Sequence, residues 1–203
     1  MRFASSCRLA ALVSAVIVAS GTAGLVAGCG GSRGIQTSVS DDGTTTRTLA
    51  SSEVKLEGAM KYYGSSERDY TIERQCFLDY RARETAAGET SYEIVLAYTG
   101  IDELGIEPGR SLEFVADLNS YVLSAGGPAK RQRDPAGKGY TETLTYPVSG
   151  ERLAKISEAG SVQIKINGRG GVVKGSFDEV NFSNLRSFVA ECVKPAGSGN
   201  SAR

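Results

Sequence analysis

The sequence predicts an α+β domain: an antiparallel sheet meander with about two helices in its C-terminal part, packed on the sheet. Three observations carry that expectation. Apolar residues alternate with polar ones through most of the chain, which is the period of a half-buried strand. Gly, Asn and Asp turns join these segments with no helical stretch between them, which favours antiparallel over parallel pairing. The last fifty residues change character, with apolar residues at helical spacing on either side of an alternating hairpin. A β-sandwich with a terminal helix is the alternative arrangement.

Val54, Leu56, Met60 and Tyr62 mark the first strand, with Gly58 in the same register. Tyr70, Ile72, Cys76 or its neighbour Phe77, and Tyr80 mark a second with less regular alternation. Tyr92, Ile94, Leu96 and Tyr98 give the clearest strand, followed by Leu112 to Ala116, Tyr121 to Leu123 and Tyr140 to Tyr146. Ser149 is placed to cap a short helix carrying Leu153 and Ile156 that stops at Gly160. Val162, Ile164 and Ile166 alternate into Asn167-Gly168, a strong hairpin signal, with Val173 and Phe177 on the return strand. Phe182, Leu185, Phe188, Val189 and Cys192 then form one apolar stripe at helical spacing, of the kind a globular helix turns towards its core.

Ahead of this domain, Arg2 and Arg8 precede an apolar segment from Leu9 to Val18, and small residues lead to Val26-Ala27-Gly28-Cys29. A charged start, a short apolar run and a small-residue cleavage zone describe a secretory signal. The last four residues resemble a lipobox, and through them the N-terminus is similar to the bacterial lipoprotein class. The resemblance covers about 30 of the 203 residues. It implies cleavage before Cys29 and acylation of that cysteine, hence attachment to a membrane on the far side from the cytoplasm. It also implies the outer membrane in a Gram-negative source, since Gly30 stands where an aspartate would retain the protein in the inner membrane. The expected organisation is therefore a signal peptide over 1–28, a lipid anchor and flexible tether over 29–50, a single globular domain over 51–194 and a disordered tail over 195–203. The tether reading rests on its Gly, Ser and Thr content and lack of an apolar period.

Two of the 23 basic residues, Arg2 and Arg8, leave with the signal and none of the 23 acids does, so the mature charge is about −2. A chain so near neutrality has no electrostatic footprint for nucleic acid. Cys7 leaves with the signal and Cys29 takes lipid, so Cys76 and Cys192 remain. An even pair in an exported domain reads as a disulfide, and a packing helix ending at Cys192 is expected to bring it to the strand holding Cys76.

Histidine is absent, which removes Ser-His, Cys-His and His-ligated metal chemistry together. Gly30-Gly31-Ser32-Arg33-Gly34 matches a nucleophile elbow but lies in the tether. Ser52-Glu53-Val54-Lys55 matches a Ser-Lys pair, yet the segment reads as a strand, which separates the two side chains. Gly137-Lys138-Gly139 lacks the glycine and hydroxyl of a phosphate loop, at Gln132 and Gly139. Lys130, Arg131, Arg133 and Lys138 form a basic cluster, read as a solvated hairpin loop. The acidic pairs Asp41-Asp42, Asp102-Glu103 and Asp178-Glu179 lack calcium-loop spacing. All nine tyrosines lie between Tyr62 and Tyr146 and are expected mostly half-buried on the sheet; several on one face would make a binding surface. No catalytic, cofactor-binding or metal-ligating residue is assigned. The sequence thus points to a non-catalytic, membrane-anchored binding or accessory protein of the envelope, with an envelope protein or glycan as partner. The alternative is a small ligand-binding or hydrolytic domain using carboxylates and tyrosine.

Overall fold

The computed structural model describes residues 34–50, 53–57, 74–133 and 139–193. Its elements are β1 (Gln36–Val39), β2 (Thr45–Leu49), β3 (Lys55–Leu56), β4 (Gln75–Glu84), β5 (Thr90–Gly100), β6 (Gly109–Ala116), β7 (Asn119–Ala125), β8 (Lys130–Arg133), β9 (Tyr140–Val148), α1 (Gly150–Glu158), β10 (Val162–Gly168), β11 (Gly171–Ser176) and α2 (Glu179–Cys192). All pairing among them is antiparallel, and with the two helices this is the expected α+β class.

The strands do not follow one simple meander. They form a six-stranded sheet in the order β1-β2-β4-β5-β9-β8 and a five-stranded sheet in the order β3-β11-β10-β6-β7. The sheets are stitched at two seams. Glu53 bridges Phe77 and the Val54 amide donates to the Cys76 carbonyl, while Leu56 two residues on pairs with Gly175. At the other seam the Gly126 amide, just past β7, donates to the Thr145 carbonyl of β9. The result is a curled, half-barrel sheet.

Period-two patterning decides which face is inward. Cys76, Leu78, Tyr80 and Ala82 on β4, Ile94, Leu96 and Tyr98 on β5, and Leu144, Tyr146 and Val148 on β9 are all buried. They share one core cluster with Phe114, Ile164 and Ile166 of the second sheet and with Leu153, Ile156, Leu185 and Phe188 of the helices. α2 lies against β2 and β4, and α1 against β6 and α2. Ser149 caps α1 through its hydroxyl, as expected, and Asp178 caps α2 in a reciprocal box with Asn181.

Four expectations are corrected. The tether does not run to residue 50, because residues 36–49 form the β1–β2 hairpin and β2 pairs with β4. Its turn is held by Asp42, whose carboxylate accepts from the Ser40 hydroxyl and the Thr44 amide, with Gly43 at φ +77°. Cys76 and Cys192 are separate buried thiols and not a disulfide. The Asn181 amide side chain, near the start of α2, donates to the Glu53 carbonyl beside Cys76, whereas Cys192 at its end meets Ala82 and Glu84. The helix therefore runs along β4 in the same direction and leaves the thiols at opposite ends. Six β4 residues separate Cys76 from Ala82, roughly 20 Å of strand, well beyond disulfide reach.

The hairpin turn after β10 is Arg169-Gly170 and not Asn167-Gly168, since Gly168 pairs with Gly171. A Cβ at Gly168 would collide with the Leu104 carbonyl, so this glycine admits the β5–β6 loop over the hairpin tip. That loop is fixed from beneath by Glu142, whose fully buried carboxylate accepts from the Gly105 and Ile106 amides at 2.9 and 2.8 Å and faces Arg131 at 3.5 Å. Finally, Lys130, Arg131 and Arg133 of the basic cluster are strand β8 on the sheet edge rather than a loop; Lys138 lies outside the described residues.

Candidate functional site

β5 starts at Thr90-Ser91-Tyr92 beside the end of β9, where Pro147 and Val148 lead through Ser149 into α1. Together with Tyr121 of β7 and Glu151, Arg152 and Lys155 of α1, these residues bound an open cleft of about 780 Å³. Gly150 is needed at its wall: a Cβ there would stand 2.8 Å from Val193 and 3.1 Å from the Tyr92 ring. Both tyrosines are half-buried, with part of each ring packed on the core. Lys155 donates to Glu151 at 2.7 Å. That bond lowers the Glu151 carboxyl and raises the Lys155 amine, so both stay charged through the neutral range. Arg152 has no ion pair among the described residues, and the shielded Thr90 hydroxyl has no hydrogen-bond partner there. The cleft thus combines aromatic rings, the Ser91 and Ser149 hydroxyls and a guanidinium outside any ion pair, groups that recognise a hydroxylated ligand.

A second cleft of about 600 Å³ opens on the outward face of the six-stranded sheet, under the β7–β8 loop. Its floor is Val95, only 6% exposed although it points away from the core. Arg81, Glu93, Thr143 and Thr145 surround Val95, and Gly126 to Lys130 cover it. Pro147 lines both clefts.

Of the other tyrosines, Tyr80, Tyr98 and Tyr146 belong to the core, and Tyr140 packs under Arg133 with 5.8 Å from guanidinium to ring centre. Tyr62, Tyr63 and Tyr70 lie outside the described residues. Burial pushes the three core phenols up, Tyr146 to about 12 despite its hydrogen bond to Ser111, and it raises both thiols. These groups stay neutral and line neither cleft. Each cleft holds one carboxylate among the described residues, Glu151 in one and Glu93 in the other. Among the described residues no group of three or more Cys, Asp and Glu side chains is placed to hold a metal, and no helix is long and apolar enough to cross a membrane. Cys29 lies outside the described residues. Residue spacing does not reveal which tyrosines share a site, because Tyr92 and Tyr121 come from strands of different sheets.

No family model matches the chain, and no curated protein or solved structure matches it.

Proposed function

We propose that this protein is a membrane-anchored, non-catalytic binding protein of the bacterial envelope that takes a glycan in the cleft between Tyr92 and Tyr121. The observation that carries the reading is the convergence of two half-buried tyrosines with the hydroxyls of Ser91 and Ser149 and the unpaired Arg152 in that one open cleft. Sugars present apolar C–H faces and hydroxyl edges, which such a set meets with ring faces and with donors and acceptors together. The Val26-Ala27-Gly28-Cys29 run supports anchoring through lipid on Cys29, in the outer membrane where the source has one. More than one acyl chain gives stable attachment where one gives marginal binding.

Co-sedimentation of the purified full chain with insoluble peptidoglycan tests the reading. Tyr121→Ala is expected to lower retention at least tenfold, while Val172→Ala, on the exposed β11 surface, leaves it unchanged. Equal retention of both variants and the parent chain would overturn it.

A further inference from the structure

The outward cleft of the six-stranded sheet holds charges that the fold itself does not use. Arg81 is half-buried there, and neither it nor Lys130 has an ion pair among the described residues. Glu93 faces Arg81 across the β4–β5 pair but makes its ion pair with Arg83, so the Arg81 guanidinium keeps its donors for an incoming anion. Register places the two cations at opposite corners of the cleft. Arg81 sits opposite Glu93 and, through it, Pro147, whereas Lys130 sits opposite Thr143 four residues back along β9. Three strand spacings and four residues put their Cα atoms no more than roughly 20 Å apart, so both long side chains reach in from the ends.

Between them stand the Thr143 and Thr145 hydroxyls, and above them Gly126-Gly127, whose lack of side chains permits close backbone approach. Glu93 supplies the opposite polarity. Its Oε2 is shielded from solvent and lies 3.2 Å from Arg83 Nη2, yet it receives no hydrogen bond among the described residues. The carboxylate has charge compensation, and its side chain keeps 19% exposure at the cleft.

We infer that this cleft binds a phosphorylated polyol: the phosphate between Arg81, Lys130 and the two threonine hydroxyls, and a ligand hydroxyl donating to Glu93. Arg offers a planar fork and Lys a point charge to phosphate oxygens, while a carboxylate accepts from a hydroxyl but repels a second anion. A volume of about 600 Å³ is that of a small-ligand site. The same chemistry is presented by free glycerol 3-phosphate and by the headgroup of phosphatidylglycerol.

Isothermal titration of the full chain in detergent, with glycerol 3-phosphate, inorganic phosphate, glycerol and short-chain phosphatidylglycerol, tests this site. Glycerol 3-phosphate is expected to bind more tightly than phosphate or glycerol. Arg81→Gln should weaken it at least tenfold, while Arg110→Gln, which removes an equal charge from the exposed position of β6, changes it less than twofold. Glu93→Gln should weaken glycerol 3-phosphate but not inorganic phosphate. Tighter binding of phosphatidylglycerol assigns the site to a lipid headgroup, and equal or weaker binding assigns it to a free phosphorylated polyol. No heat with any probe, equal losses in Arg81→Gln and Arg110→Gln, or inorganic phosphate matching glycerol 3-phosphate would overturn the inference. Tyr121→Ala should bind glycerol 3-phosphate as the parent does, which separates this site from the glycan cleft.

Discussion

Truncating Phe188 to alanine tests how α2 is held. Phe188 is fully buried, and its ring centre lies 5.7 Å from that of Tyr80 on β4 in a tilted pair. Removing a large aromatic from a core costs about 3–5 kcal/mol, and an aromatic pair accounts for roughly 0.5–1.5 kcal/mol beyond area burial. Collapse of the site is restricted, because Leu185 and Cys192 on the same stripe are themselves buried and fixed by their own neighbours. An expected loss of about 4 kcal/mol, with a urea dependence of about 2 kcal/mol per M, moves the unfolding midpoint down by about 2 M. Urea titration followed by far-ultraviolet circular dichroism reads this directly. Leu118→Ala is the control, since Leu118 is 98% exposed and its loss should cost less than about 0.5 kcal/mol. A Phe188→Ala midpoint indistinguishable from that of Leu118→Ala would refute the packing of α2 as described.

Gly168→Ala should destabilise by about 1–3 kcal/mol in the same titration, because the new methyl meets the Leu104 carbonyl and forces the β5–β6 loop off the hairpin. Asp117, in the β6–β7 turn at φ +52°, has its carboxyl held below the usual 3.8 by amides of Ser161 and Gly160. A lowered folded-state pKa gives stability that is present at neutral pH and lost as pH falls through the acid range below 3.8. The midpoint difference between the parent chain and Asp117→Asn should therefore be present at pH 7 and vanish in that range; a pH-independent difference would contradict the bonding. Cys29→Ser should leave an uncleaved precursor without attached lipid, and normal maturation with acyl incorporation would sink the anchoring reading.

What the sequence made legible is what repeats along one segment. The stripe Phe182, Leu185, Phe188 needs only its own spacing to declare a packed helix, and Tyr92 to Tyr98 needs only alternation to declare a strand. The β1–β2 hairpin has no legible signature of this kind, because β1 is wholly exposed and β2 turns only Leu49 fully inward, which leaves no apolar period. Its signal was the Asp42-Gly43 turn between runs rich in threonine. Pairing Cys76 with Cys192 failed for a different reason: spacing gives a helix its buried face but not the direction in which it crosses the sheet. The Asn167-Gly168 turn slipped by two residues because close packing against Leu104, a contact distant in sequence, needs a glycine at 168. The clefts were illegible on the same grounds, since each gathers side chains from separate strands. Arg81 and Lys130 converge only through the register of four strands.

The glycan cleft is tested most directly by amide chemical-shift mapping of the full chain in detergent as a soluble peptidoglycan fragment is added. Binding at the proposed site predicts saturable shifts confined to the amides of residues 90–92, 121 and 148–155, with those of residues 126, 127, 129 and 130 of the neighbouring cleft unmoved. Saturable shifts centred on any other surface, or no shifts with a fragment that competes the chain off insoluble peptidoglycan, would contradict it.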